Sequence, residues 1–270
     1  MSASYHDVAL GGGGFFTHAE VIYEGSKPPA DTTATGDRTR LMRDAFDARL
    51  TFAAGYSMEE FDTSDVARFL DALPQIDLGT RPCGVILATH GGFIRRVAAE
   101  LARRNVPNAG TTVPILDRAR RNNLFALRLS TVHGGYVTLV RHCARLFQKQ
   151  GLWGGEYTRP DPGCIVTAGG KMWGVEKLAR ALRRDGAVSP RMCSSVMNRA
   201  VETATAIAGA MGAEPTTIVI LPFCREGGNP MDTVGLDFLN RPSGASTNYA
   251  QNAFAERPHF SGPGGAWGGG

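Results

Sequence analysis

Short runs that are apolar or β-branched at every position, alternating with stretches of helical spacing, constrain this chain more than any other feature. Val85-Ile86-Leu87-Ala88 shows no alternation. A strand that is apolar on both sides must be covered on both faces, which is the habit of parallel sheets. The Gly91-Gly92 pair ends that run, and Phe93–Arg104 continues with amphipathic spacing. Val137–Val140 within GYVTLV (135–140) and Ile218–Leu221 within TTIVIL (216–221) read in the same way, and NNLFALRLS (122–130) is a further strand candidate.

Helical spacing is present over 37–55 (Leu41, Ala45, Phe46, Leu50) and over 62–73, where Asp and Ser offer a cap. It recurs over 171–184 (Val175, Leu178, Ala179, Leu182) and over 194–212, which opens on serine and stops at Gly212. Strands alternating with helices predict an α/β fold with a mostly parallel, doubly covered sheet. Regular structure is expected between about 38 and 225. The glycine-rich stretches ALGGGGFF (9–16) and SGPGGAWGGG (261–270), and the loop-like 24–37, read as tails or flexible loops. Gly11–Gly14 leads into Phe-Phe instead of Gly-Lys-Ser/Thr, so it is not a nucleotide-binding loop.

Composition narrows the function classes. With 270 residues, 43% of them hydrophobic, the chain suits one large domain or two small ones with a substantial core, and of these a single domain over 1–270 is expected. A net charge of +4 is too weak to argue for nucleic acid, and none is expected as a partner. No apolar stretch approaches the roughly 18 residues that span a bilayer, and the first 30 residues lack the pattern of a signal peptide. The expectation is therefore a cytoplasmic protein without membrane contact. The five cysteines are odd in number, irregular in spacing and form no C-x-x-C, which argues for free thiols and against a structural metal. Neither a metal nor any cofactor is expected. Lysine supplies only four of the 29 basic residues. Arginine suits phosphate and carboxylate, because its planar fork binds two oxygens at once; codon bias is the plainer explanation of such an excess.

The strand ends carry the chemistry. Thr89-His90-Gly91-Gly92 follows the first buried run, Arg141-His142 follows Val137–Val140, and Glu226 stands a few residues after Ile218–Leu221. The segment PRMCSS leads into a helix with Arg199 and Thr203 one turn apart. Ligands of open parallel sheets bind beyond the carboxyl ends of the strands. Each residue alone has a plain structural role: a hydrogen-bonding histidine, a surface arginine, a loop carboxylate. Together they describe a place where cations gather, which is costly unless an anion binds there.

These motifs resemble the histidine phosphatase (phosphoglycerate mutase-like) superfamily. Arg141-His142-Cys143 is similar to its Arg-His-Gly motif, with Arg145 three residues after the histidine. DPGCIVTAGG (161–170) resembles its Asp-Pro-x-Leu-Thr-x-x-Gly segment, and Ser195, Arg199, Thr203 and Ala204 match its Ser-x-x-x-Arg-x-x-x-Thr-Ala motif. Glu226 matches its acidic residue, and ILATHGGFIRRV its last histidine motif. That last motif comes first here. The resemblance therefore implies a circular permutation, with residues 56–130 equivalent to the family's C-terminal half and 135–230 to its N-terminal half. The junction is a short His133-Gly134-Gly135 turn, and the glycine-rich segments 1–36 and 241–270 become tails or lid pieces.

What the resemblance implies is a three-layer α/β/α sandwich and a phosphomonoester hydrolase. His142 would be the nucleophile, Glu226 the proton donor and His90 a further catalytic residue. Arg141, Arg199, Arg145 and Ser195 would bind the phosphoryl group of a small phosphorylated substrate or a phosphoprotein. A phosphomutase of the phosphoglycerate type is the alternative within the same chemistry. A catalytically weak or inactive relative serving as a structural or binding subunit is the alternative outside it. Cys143 stands where the family has glycine, and a side chain there is expected to narrow the pocket. The oligomeric state is open, a dimer included.

Overall fold

A computed structural model of the chain describes residues 14–26, 49–52, 66–73, 84–119, 124–144, 164, 171–184, 186, 190–195, 197–212, 217–221 and 224. They form an α/β protein around a mixed sheet. The strands are β1 (Phe16–Glu24), β2 (Arg49–Phe52), β3 (Val85–Thr89), β4 (Phe125–Thr131), β5 (Tyr136–Arg141), β6 (Arg191–Ser194) and β7 (Thr217–Ile220). The helices are α1 (Val66–Ala72), α2 (Gly91–Arg103), α3 (Ala109–Arg118), α4 (Val175–Arg184) and α5 (Asn198–Ala210). The sheet order is β1-β4-β5-β3-β6-β7-β2. β3 pairs in parallel with β5 and β6, and β7 in parallel with β6 and β2. β4 lies antiparallel to β5 and to β1, so β4 alone runs against the other strands.

The lack of alternation in Val85–Ala88 is explained by cover on both faces. Val85 and Leu87 point to one side, into a core shared with Phe69 of α1 and Leu73 just after it, Phe93, Val97 and Leu101 of α2, and Leu116 of α3. Ile86 and Ala88 point to the other side, toward Leu178 and Leu182 of α4 and Val201, Ala204 and Ile207 of α5. Strand side chains alternate between faces, so a strand buried twice needs apolar residues at every position. Each such residue, once fully buried, contributes roughly 1.5–3 kcal/mol.

Four expectations are corrected. Residues 16–24, read as part of a tail or lid, form the edge strand β1, held by β4 through register shifts at Phe16/His18 and Val21/Tyr23. Residues 49–52, read as the end of a helix over 37–55, form β2, because Leu50, Thr51 and Phe52 find parallel partners Ile218, Val219 and Ile220 at the far edge. The rest of 37–55 lies outside the described residues. Ser194 does not cap a helix: it ends β6, and α5 begins at Asn198 after Met197. Gly91 and Gly92 do not precede α2 but form its first turn, with His90 at the cap position accepting the amide of Ile94 at 3.0 Å. The helix α3 had no sequence signal, since Thr111, Thr112, Val113 and the internal Pro114 all disfavour it. Thr111 and Thr112 give their hydroxyls to the carbonyls of Asn108 and Ala109, which serves the start of the helix locally.

The β4–β5 hairpin closes through the turn expected at His133-Gly134-Gly135. Gly134 adopts φ +76°, where a side chain is strained, and Thr131 closes the turn by donating its amide to the Gly135 carbonyl and accepting the Gly134 amide.

Candidate active site

One row of aligned residues crosses the whole sheet: Tyr23, Ala126, Val140, Ala88, Ser194, Ile220 and Phe52. Every strand but β4 passes this row toward its carboxyl end. Arg141, His90, His142 and Ser195 all stand one or two residues beyond it. Their positions are fastened by backbone bonds that continue the ladders: His142 N–H to the Thr89 carbonyl at 2.8 Å, Ser195 N–H to the Ala88 carbonyl at 2.9 Å, and Leu221 N–H to the Ser194 carbonyl at 2.9 Å.

The two imidazoles meet there. Their centroids are 5.2 Å apart with the planes inclined at 61°. His90 is fully buried and His142 is 2% exposed. The Nδ1 of His142 lies 2.7 Å from the carbonyl oxygen of Cys143. A carbonyl only accepts, so Nδ1 carries the proton, and in the neutral ring Nε2 presents a lone pair. The Nε2 of His90 shares a 2.8 Å hydrogen bond with Ser195 Oγ. Thr89 donates its hydroxyl to the Cys224 carbonyl, which ties the chain after β7 to the end of β3.

Both expected arginines of the described region are buried, Arg141 at 7% and Arg199 at 1% exposure. Arg141 lies along the first turn of α2. A Cβ on Gly91 would sit 3.1 Å from its Nε and 3.2 Å from its Cδ, so only glycine leaves that approach unobstructed. Arg199 occupies the first turn of α5, which is fastened to the residue after His142. Thr203 gives its hydroxyl to the Arg199 carbonyl at 2.7 Å and accepts the Cys143 amide at 2.9 Å. Neither α2 nor α5 has a side-chain cap or an acidic residue in its first turn. Their amino ends, one from each face of the sheet, stay favourable to negative charge.

Cys164 was not singled out in the sequence, yet it joins this cluster. Its thiol approaches the Arg199 carbonyl at 3.2 Å and Thr203 Oγ1 at 3.5 Å, and its amide donates to Glu202 Oε2 at 2.7 Å. Burial above all, with the Cys143 side chain and Glu202 adding to it, pushes the Cys164 thiol well above its ordinary pKa. No sequence signal marked Cys164 or Glu202, because the contacts depend on how 164 folds back on α5. Cys143 is 2% exposed and packs in the core under α4 and α5, among Cys164, Met172 and Met197. Its side chain therefore packs into the core. Of the remaining expected site residues, Arg145 and Glu226 lie outside the described residues, as does most of 161–170.

Among the described residues no group of histidine, cysteine and carboxylate side chains could hold a metal ion, and no helix is long and apolar enough to cross a membrane. Four cysteines, 143, 164, 193 and 224, are free and buried. Compared with models of known protein families, with curated proteins and with solved structures, the chain gives no match.

Proposed function

We propose that the chain is a phosphomonoester hydrolase of the histidine phosphatase type, a circularly permuted three-layer sandwich of the phosphoglycerate mutase-like kind, acting through a phosphohistidine on His142. The observation that carries this reading is the ring of His142, whose Nδ1–H is tied to the Cys143 carbonyl and which lies 5.2 Å from the buried imidazole of His90 at the carboxyl ends of two parallel strands. At the same end of the sheet stand a second buried imidazole, the buried residues Arg141 and Arg199, and two helix ends without side-chain caps. Positive groups of this density suit a tetrahedral dianion.

In the proposed cycle Nε2 of His142 attacks phosphorus, the bond to the leaving oxygen breaks, and the alcohol departs. Arg141, Arg199 and His90 hold the three equatorial oxygens and stabilise the charge that grows on them. Glu226, assigned by the resemblance, protonates the leaving oxygen and then takes a proton from the water that hydrolyses the phosphohistidine. Ser195 orients His90 through the 2.8 Å bond. Burial of the Cys143 side chain in the core leaves the substitution of glycine at this position compatible with activity.

The test is hydrolysis of p-nitrophenyl phosphate, together with trapping of an acid-labile phosphoprotein, in the full chain and in His142→Ala. The proposal expects turnover and a trapped phosphohistidine in the first and neither in the second. Absence of both from the unaltered chain selects the reading as an inactive binding subunit.

A further inference from the structure

A second feature occupies the same edge of the sheet. Beyond Tyr23, where β1 crosses the common row, a cavity of about 520 Å³ opens between Glu24–Ser26 and the segment leading into α4. That volume lies in the range of small-molecule sites. Tyr23 and Trp173 form its aromatic walls, and Lys171, Lys177 and Arg180 its basic side. Both rings are held in place: Tyr23 donates its hydroxyl to the Gly174 carbonyl at 3.3 Å, and Trp173 donates its indole N–H to the Ser26 carbonyl at 3.1 Å. Gly174, at φ +84°, makes the turn that lets both walls approach, since a Cβ there would lie 3.3 Å from the Tyr23 hydroxyl. Lys171 is paired with Glu176. Among the described residues of the lining, the three cations Lys171, Lys177 and Arg180 stand with two carboxylates, Glu24 and Glu176, which leaves one positive charge in excess.

The cavity and the histidine pair are neighbours by register. Tyr23, Ala126 and Val140 lie side by side on β1, β4 and β5, and His142 follows Val140 by two residues. Two strand spacings across the sheet and two residues along the chain separate Tyr23 from His142, a backbone distance of roughly 12 Å. A phosphoryl group on His142 and a ring system between Tyr23 and Trp173 can therefore belong to one molecule.

We propose that this cavity receives the leaving-group end of the substrate, a planar aromatic alcohol that carries one further anionic group. The inference rests on the phosphatase reading for its connection to His142, but binding in the cavity is measurable without turnover. Stacking on the two rings supplies most of the contact, and the uncompensated cation selects the anion.

Two measurements test it. Fluorescein, an aromatic phenol with a carboxylate, is titrated against the full chain, against His142→Ala and against the double variant Lys177→Glu/Arg180→Glu, with fluorescence polarisation as the readout. Both altered residues of the double variant are exposed on α4, so the fold is kept. Binding is expected in the first two and at least tenfold weaker in the third. Equal binding by all three, or none by the full chain, overturns the inference whether or not the protein is a phosphatase. Second, the ratio of kcat/KM for 3-O-methylfluorescein phosphate to that for p-nitrophenyl phosphate is expected to fall about tenfold in the double variant. An unchanged ratio overturns the link between cavity and active site. Fluorescein binding that depends on Lys177 and Arg180, with no hydrolysis of either ester, keeps the cavity and removes the phosphatase reading instead.

Discussion

The imidazoles of His90 and His142 stand 5.2 Å apart, centroid to centroid, at the ends of neighbouring parallel strands. Parallel pairing of β3 with β5 sets that distance, because Thr89 faces Arg141 and the two chains pass the sheet edge together. Ser195, which follows the next strand, reaches His90 by the same logic. Replacing Ser195 by Ala removes one hydrogen bond from a fully buried ring. We expect a stability loss of about 1 kcal/mol and a roughly tenfold fall in kcat/KM for p-nitrophenyl phosphate as the ring loses its orientation. A rate equal to that of the unaltered chain would remove Ser195 from the site.

Arg199 is 1% exposed in the first turn of α5. Inorganic phosphate is expected to raise the Tm of the unaltered chain, by the equivalent of about 2.7 kcal/mol at a hundredfold excess over Kd. Arg199→Met should lose that rise, and Arg199→Ala should cost roughly 100-fold or more in kcat. The same thermal shift in Arg199→Met would place the anion elsewhere.

Gly91→Ala separates function from fold. The new Cβ meets Nε of Arg141 at 3.1 Å and must displace that side chain. Alanine is the better helix former by about 1 kcal/mol, so thermal denaturation should show no loss of stability. Activity should fall by about one to two orders of magnitude, since small misplacements of a binding group are costly. Full activity in this variant would show that Arg141 has no part in catalysis.

Gly84→Ala makes the opposite separation. Its Cβ would lie 2.6 Å from two ring atoms of Tyr136. Overpacking of this kind costs about 1–3 kcal/mol. Tyr136→Leu should relieve it, so a double-mutant cycle by denaturant unfolding should give a coupling of about 1 kcal/mol or more. Additive effects would contradict the close approach.

The buried thiols set an alkaline limit. Burial pushes Cys193 up to about 12, and Cys164 and Cys224 well above their ordinary value. Between pH 9 and 12 the unfolded chain releases the Cys193 proton and the folded chain keeps it, so stability falls as pH rises, by about 1.4 kcal/mol per pH unit for each such thiol. Urea titrations across that range check the slope. At pH 8 these three cysteines should resist iodoacetamide until the protein is unfolded; rapid alkylation of the native state would show them accessible.

What could be read along the chain was local. The runs at Val85, Val137 and Ile218 announce β3, β5 and β7 because strands covered on both faces favour apolar or β-branched residues at every position, and the helical spacing of α4 and α5 marks the faces they bury. The residues at the strand ends were legible for the same reason, since a charged group directly after an apolar run has to emerge at the sheet's edge. Tertiary structure decided everything that depends on pairing. β1 and β2 carry too weak a local pattern to stand alone, and pairing with β4 and β7 makes them strands. The contact of Arg141 with Gly91, the seat of Cys143 in the core and the clasp of Cys164 on α5 follow from register and helix placement. In parallel sheets, partners come from distant parts of the chain. Composition and periodicity report each segment's own preference, but not which segment it will lie beside.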